Sequence, residues 1–306
     1  MSPVTISRAT PDTVRSAVVR DGKLIAADPQ ARPVLWWSFG KTVLAAAALA
    51  LVRDGRVGLD APLAAQGYTL RQLLCHTAGI PNYSDLSDYA HAVARKDAPW
   101  TVVEMLERVQ HQQLQFAPGQ GWAYSNTGYL LVRQLIEATV GSDLQSALDM
   151  LVFKPLASSD TGDVALAETP EDLLATDCGN PGDYHPRWVY HGLLTGTPAS
   201  AALLLDRLLD GQLLPAPLLE QMLRMRPLGN TLPGRPGVDF GYGLGMMIAQ
   251  SGPAGRSIGH TGSGPGSVAA VYRFPERACT VACFAAVGDQ AVVEWAAHKT
   301  AASLPA

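Results

Sequence analysis

A serine and a lysine stand three residues apart where a long apolar segment begins: Ser38 and Lys41 precede a run of alanine, leucine and valine. On a helix, residues i and i+3 share a face, so the two side chains can meet. A serine hydroxyl becomes a nucleophile when a base takes its proton, and lysine can be that base only as a neutral amine. Its pKa must then fall by roughly three units from about 10.4, and burial beneath Trp36, Trp37 and the apolar helix would lower it. The competing interpretation is a helix cap beside a solvated lysine.

A second candidate group is the tripeptide Tyr124-Ser125-Asn126, in a loop ahead of a segment with helical periodicity. A tyrosine can transfer protons, and an asparagine amide can orient a lysine or bind a substrate carbonyl group. The structural alternative is a helix cap formed by Ser125 or Asn126, with Tyr124 packed beside it.

A third candidate group, His260-Thr261-Gly262-Ser263, ends a short predicted strand and enters a glycine-rich turn. Glycine lets a substrate approach the backbone closely, and the N–H groups of Ser38 and Ser263 could together bind an oxyanion. The alternative is a tight turn that needs glycine for its backbone angles. The turn does not have the features of a phosphate-binding loop, because it lacks the lysine and leads into a strand.

Composition limits the classes of protein to consider. Hydrophobic residues make up 47% and charged residues 16% of 306 residues, which favours a large buried core. The net charge of -4, without a basic cluster, argues against nucleic-acid and anionic-membrane partners. The longest apolar stretch, residues 42–52, is too short to span a bilayer, and no signal peptide is recognisable, so we expect a soluble cytoplasmic protein. The cysteines form neither a disulfide framework nor a metal-binding pattern and are expected to be reduced: Cys75, Cys178, Cys279 and Cys283.

The order of predicted elements indicates an α/β (α+β) fold. Strands are predicted at both chain ends, beginning with a hairpin around Asp21 and Gly22, and helices are predicted between them. We expect one antiparallel sheet built from both ends and flanked by the N- and C-terminal helices, with a mainly helical lobe inserted. Residues 1–306 would form a single catalytic domain, with the helical lobe at roughly 61–235 and the α/β lobe at 1–60 and 236–306. The crevice between the lobes is the expected site.

Taken in order, the three groups resemble the S-x-x-K, Y-x-N and K-T-G motifs of the serine β-lactamase/penicillin-binding-protein superfamily. The surrounding sequence is most similar to the class C β-lactamase branch, which includes esterases and D-amino-acid peptidases. The similarity extends from Val18 to Val287 and rests on four further stretches: LVRDGRVGLDAPL, TLRQLLCHTAGIPNY, FAPGQGWAYSNTGYLLVRQLIE and FGYGLGM. The resemblance implies a β-lactamase/transpeptidase-like fold.

The resemblance also implies a role for each matching residue. Ser38 would be the acylated nucleophile, Lys41 its base or proton partner, and Tyr124 a general base or acid. Asn126 would contact the substrate amide, and the N–H groups of Ser38 and Ser263 would form the oxyanion hole. The remaining residues of the third motif would bind substrate: His260, Thr261 and Gly262. Whether the lysine or the tyrosine takes the first proton stays open at this stage.

The sequence departs from the family pattern in three places. His260 stands where β-lactamases carry a lysine, and a mostly neutral histidine suits esters, amides or amine-ended substrates better than a substrate carboxylate. Gly40 lies inside the S-x-x-K motif and slightly loosens the first helical turn. The segment before Ser38 is short, which predicts a reduced N-terminal covering of the sheet.

The chain contains other histidines and aromatic residues that could belong to a site. His76 is expected to have a structural hydrogen-bonding role. A weak metal-binding pattern is irregularly spaced and is interpreted instead as surface or crevice wall: Asp183, His185 and His191. Trp188 and Tyr190 could line the crevice on the acyl or leaving-group side.

These observations predict a serine hydrolase that forms an acyl-serine intermediate and uses no metal or cofactor. Its partner would be a small-molecule ester, amide or peptide, as for an esterase or D-amino-acid peptidase. One alternative is weak β-lactamase or D,D-carboxypeptidase activity, and another is a non-catalytic sensor or binding domain. The sequence leaves the oligomeric state open.

Overall fold

A large antiparallel sheet joins the two ends of the chain. The computed structural model describes residues 14–28, 31–63, 65, 67–156, 164–177 and 184–305. In these residues eight strands form the sheet in the order β2-β1-β11-β10-β9-β8-β7-β6. Their bounds are Val14–Arg20 (β1), Lys23–Ala27 (β2), Arg226–Thr231 (β6), Val238–Tyr242 (β7), Met247–Ser251 (β8), Ser257–Gly264 (β9), Ser267–Phe274 (β10) and Cys279–Ala285 (β11). A separate sheet of order β3-β5-β4 contains Val34–Leu35 (β3), Ala165–Ala167 (β4) and Leu193–Gly196 (β5).

Helices occupy most of the chain between the strands. They are Gly40–Arg53 (α1), Leu70–Leu74 (α2), Ser87–Ala94 (α3), Val102–Arg108 (α4), Asn126–Val140 (α5), Leu144–Leu148 (α6), Lys154–Leu156 (α7), Pro170–Leu174 (α8), Pro198–Leu209 (α9), Ala216–Leu223 (α10) and Gln290–Ser303 (α11). No helix among the described residues is long and apolar enough to cross a membrane.

The central sheet is buried on both faces, because successive side chains of a strand point to opposite sides. On β11, Cys279 and Cys283 share one face and pack with α11, so the even spacing of these two cysteines places them together in the core. Ala282 and Phe284 point to the other face, where α1 and α9 contribute to one continuous apolar cluster. The mixed α/β fold with a large antiparallel sheet, predicted from the sequence, is confirmed.

Two connections determine where the site forms. Strand β1 pairs with β11 along its whole length, which brings the chain ends together as predicted. The short strand β3 pairs with β5, which brings the residues just before Ser38 next to Leu194, Thr195 and Gly196. The sheet also includes β6, which lies inside the range predicted for the helical lobe. The exact division into two lobes stays a prediction.

Candidate active site

Ser38 lies in a tight turn between β3 and α1. Residues Trp37–Phe39 form a single 3₁₀ turn, and Trp37 has a φ of 45°, in the left-handed region. The indole N–H of Trp37 donates to Ser267 Oγ at 2.9 Å, while that of Trp36 donates to the Gly196 carbonyl at 3.1 Å. Phe39, not Ser38, is the N-cap residue of α1, and no side chain caps this helix. The helix-cap interpretation of Ser38 is therefore wrong, and its hydroxyl is available for chemistry.

Lys41 is fully buried beside that hydroxyl. Its amine lies 3.1 Å from Ser38 Oγ and 3.1 Å from Nε2 of His191. The same nitrogen lies above the ring of Tyr124, at 5.0 Å from its centroid. Burial lowers the pKa of Lys41 well below its usual value, and no carboxylate among the described residues pairs with it. Burial thus favours the neutral amine, which lies within reach of the proton it would remove.

Tyr124 completes the group around Ser38. Burial raises the pKa of its phenol, and a hydrogen bond with the Ser38 side chain acts in the opposite direction. The phenol therefore stays protonated at neutral pH and can donate or relay a proton. The next residue, Ser125, caps α5 by accepting the Gly128 N–H at 2.9 Å. The helix cap predicted for Ser125 is therefore present, next to Tyr124. Asn126 lines the same cavity, and its amide donates to Ser84 Oγ at 3.1 Å.

His76 holds the Tyr124 loop in place. Its Nδ1 accepts the Ser125 N–H at 3.1 Å, and its backbone carbonyl accepts the Ala123 N–H at 3.0 Å. The imidazole packs against the Tyr124 ring at a centroid distance of 4.3 Å. Its backbone has a φ of 60°, so the residue is held in an uncommon conformation. These contacts are the structural hydrogen bonding expected for His76.

His260 is a neutral imidazole with both ring nitrogens occupied. Nδ1 contacts the Thr261 carbonyl oxygen, which can only accept, so Nδ1 carries the proton. Nε2 then accepts from the Tyr242 hydroxyl at 2.8 Å. Burial, and Lys41 whenever it is protonated, lower the pKa of His260 to about 3. His260 therefore offers no cation to a substrate carboxylate, unlike the lysine that β-lactamases carry at this position.

Strand β9 passes close to the turn that carries Ser38. Its pairing with β8 runs from Ser257 to Gly259, and the following residues lie beside the turn. A Cβ atom placed on Gly262 would lie 2.7 Å from the Ser38 nitrogen and 2.6 Å from Trp37 Cβ. Only a glycine fits there without displacing one of the two backbones. This close approach is the one that a shared oxyanion site between Ser38 and β9 requires.

The three predicted groups line a common cavity of about 690 Å³. One wall is aromatic and includes Trp37, Tyr83, Tyr89 and Tyr184. Among the described lining residues, Arg235 carries the only fixed charge, and the lining includes no Asp or Glu. Arg235 is itself paired with the buried Glu294, donating through Nη2 at 2.6 Å, and also donates to Thr261 Oγ1 at 3.3 Å. The cavity is thus apolar on one side and nearly neutral overall.

The roles of three polar residues at the site were not predicted. His191, interpreted as surface or crevice wall, does line the cavity, but its direct contact with Lys41 was not expected. Tyr242, the partner of His260, lies in the FGYGLGM stretch, which was noticed only for its similarity to the family. Arg235 precedes β7 in a Pro/Gly segment, PGRPG, that shows no periodicity from which its orientation could be inferred.

The remaining predictions concern metal binding and the crevice wall. In the part of the chain that the structure describes, no three His, Cys, Asp or Glu side chains are grouped to hold a metal. His185 accepts the backbone N–H of Arg187. Trp188 and Tyr190 pack in the aromatic cluster behind the cavity instead of lining it. Asp183 and Cys178 lie outside the described residues.

The chain is similar in sequence to characterised proteins, among them a penicillin-binding protein and an esterase. The chain is 25% identical to penicillin-binding protein 4* of Bacillus subtilis over 224 residues, which is 68% of this chain and 49% of that protein. It is 31% identical to esterase EstB of Burkholderia gladioli over 150 residues, 42% of this chain and 38% of the esterase. The chain thus matches half or less of the length of each relative.

Solved structures show the fold that this chain shares with other proteins, and a family model shows the family to which it belongs. The D-amino acid amidase of Ochrobactrum anthropi superposes with a TM-score of 0.78 at 23% identity, over 94% of this chain and 92% of that one. This similarity shows a shared fold. The sequence model of the family described as Beta-lactamase matches residues 13–298, nearly the whole chain and all three groups around the cavity. The chain therefore belongs to the Beta-lactamase family, as its motifs predicted.

Proposed function

We propose that the protein is a serine hydrolase that cleaves small esters or amides through an ester formed on Ser38. The observation that carries the proposal is the 3.1 Å contact between Ser38 Oγ and the fully buried amine of Lys41, beside the cavity. A neutral lysine without a carboxylate partner is a base, and a structural lysine would be exposed or paired with an acid.

In the proposed reaction, Lys41 accepts the Ser38 hydroxyl proton while Oγ bonds to the substrate carbonyl carbon. The carbonyl oxygen becomes an oxyanion beside the N–H groups of Ser38 and Ser263. When the oxyanion collapses, the bond to the alcohol or amine breaks and that group takes a proton through Tyr124. Water then cleaves the Ser38 ester and returns the hydroxyl. Because burial raises the Tyr124 pKa, the lysine, not a phenolate, is the better resting base.

The cavity favours a substrate with an uncharged, apolar acyl group. The aromatic wall provides area for such a group, while His260 is neutral and Arg235 is already paired with Glu294. A D-amino-acid amide would bring an ammonium group, and the described lining has no carboxylate to receive it. The esterase activity named for one relative therefore fits this cavity better than the amidase activity named for the structural neighbour.

The test is a substrate panel with a matched variant. The wild-type protein and Ser38→Ala are incubated with p-nitrophenyl esters of acetate, butyrate and phenylacetate, with D-phenylalanine amide and with a fluorescent penicillin. We expect ester turnover by the wild type only, with the phenylacetyl ester preferred to the acetyl ester. Ser303→Ala is the control, since Ser303 is an exposed serine at the end of α11 and does not line the cavity. Equal turnover by Ser38→Ala and the wild type would refute the proposal.

A further inference from the structure

His191 makes a single polar side-chain contact among the described residues, and that contact is with Lys41. The imidazole is buried, with Nε2 at 3.1 Å from the lysine amine. Its other nitrogen, Nδ1, is buried without a hydrogen-bond partner. Among the described residues, the Lys41 amine is therefore the one polar group that fixes the direction of this ring.

The backbone brings His191 to this position through a constrained turn. Gly192 has a φ of 101°, and its N–H donates to the Val189 carbonyl at 2.7 Å. A Cβ on Gly192 would lie 2.9 Å from Leu144 Cδ2, so the turn is packed from behind. On the other side, a Cβ on Gly40 would lie 3.8 Å from the Gly192 carbonyl oxygen. The turn and the start of α1 are thus in direct contact, with the imidazole set beside Lys41.

The groups around His191 keep the imidazole uncharged. Burial is the largest cause that lowers its pKa, and any proton on Lys41, Arg133, His260 or His76 lowers it further. Each of these neighbours is a cation or a potential cation, and none is an acid. Burial and these neighbours all favour the uncharged imidazole.

We propose that His191 is a positioning residue for Lys41: a neutral acceptor that holds the amine against Ser38 and receives an N–H of the ammonium formed when Lys41 takes the serine proton. The inference rests on the proposed function. In this arrangement His191 Nδ1 carries its proton and the Nε2 lone pair faces the lysine. A carboxylate in this place would also accept, but it would hold the lysine permanently protonated and so remove the base. A neutral imidazole stabilises the ammonium group that forms during the reaction without favouring protonation of the Lys41 amine at rest.

Three substitutions separate this role from a packing role. His191→Gln keeps a neutral acceptor near the position of Nε2 and should retain most of the activity. His191→Leu keeps volume but removes the acceptor, and should lower kcat by roughly 10- to 100-fold with little change in KM. His191→Asp supplies an anion and should move the acidic limb of the kcat/KM profile upward by about one to three pH units. His298→Leu is the matched control, because His298 is also buried with an unpartnered Nδ1 but lies on α11.

A second measurement does not depend on turnover. The chain has five lysines, so the ¹³Cε signal of Lys41 can be assigned by substitution and titrated in labelled protein. The midpoint should rise in His191→Asp and should not rise in His191→Leu or His298→Leu. An unmoved midpoint in His191→Asp, or equal activity of His191→Leu and the wild type, overturns the proposal. If the wild type turns over no ester, the proposed function fails, and the titration still decides whether His191 controls the protonation of Lys41.

Discussion

Replacing Gly262 with alanine should disable the enzyme by pushing strand β9 away from the turn that carries Ser38. The added Cβ would lie 2.6 Å from Trp37 Cβ, 2.7 Å from the Ser38 nitrogen and 2.9 Å from the Trp36 carbonyl oxygen. Contacts below 3.0 Å are not tolerated, and these atoms belong to the backbone or lie next to it. Since no flexible side chain can move aside, the two segments must separate by several tenths of an ångström.

The size of the effect follows from what this separation disrupts. If it displaces one N–H of the oxyanion pair, kcat should fall by about 10² to 10³, or roughly 3–4 kcal/mol of transition-state stabilisation. The added methyl also overpacks the interface, which should cost about 1–3 kcal/mol of folding free energy. A protein of this size should tolerate that loss and remain folded, with a lower Tm.

Ester turnover and thermal unfolding, measured together, test this reasoning. Gly288→Ala is the matched control, because a Cβ at Gly288 meets no atom within 4 Å and its φ is not positive. That variant should match the wild type in both measurements. The reasoning is refuted if Gly262→Ala unfolds at the wild-type temperature and keeps kcat within about threefold of the wild type, since β9 would then not approach Ser38 as described.

Three more predictions concern pH, specificity and stability. His260 and His298 have pKa values lowered to about 3 and about 4 in the folded protein, against 6.5 unfolded. Below pH 6.5 the unfolded chain therefore binds more protons than the folded protein. Each histidine should lower the unfolding free energy by up to about 1.4 kcal/mol per pH unit as the pH falls toward those values. In urea titrations at several pH values, the unfolding free energy of His298→Leu should fall less steeply with decreasing pH than that of the wild type, and an equal slope would contradict this. His260→Lys should speed acylation by a fluorescent penicillin, because lysine adds a cation for the β-lactam carboxylate; no gain would show that this position does not select substrate charge. Gly40→Ala should raise the unfolding free energy by about 0.5–1 kcal/mol, because the nearest atoms are 3.8 Å from its Cβ; a lower Tm would contradict it.

Local signals in the sequence were sufficient to predict many elements. Asp21 and Gly22 form the turn of the first hairpin, and Gly141 ends α5 with a φ of 79°. In both cases the residue type determines the backbone conformation, so a local reading succeeds. Ser38 and Lys41 were predicted to meet because three residues along the chain is one helical turn, and their contact confirms this geometry.

Contacts between residues far apart in the chain could not be predicted from the sequence pattern. His191 reaches Lys41 only because β3, two residues long, pairs with β5, and so short a strand has no periodicity to predict its register. The same applies to Arg235, which reaches Thr261 from an irregular segment. A further example is α9, whose apolar pattern predicts a buried helix but not that it packs on the central sheet.

The central claim is that Ser38 is the acylated nucleophile and Lys41 its neutral base. The most direct measurement is peptide mapping by mass spectrometry after reaction with a fluorophosphonate, repeated across pH 5 to 10. The account predicts one adduct, on the peptide that contains Ser38, forming with a midpoint well below the usual lysine pKa of 10.5. It also predicts no adduct in Ser38→Ala and a strongly slowed reaction in Lys41→Met. An adduct on a different residue, or labelling of Ser38 that is unaffected by Lys41→Met, would contradict it.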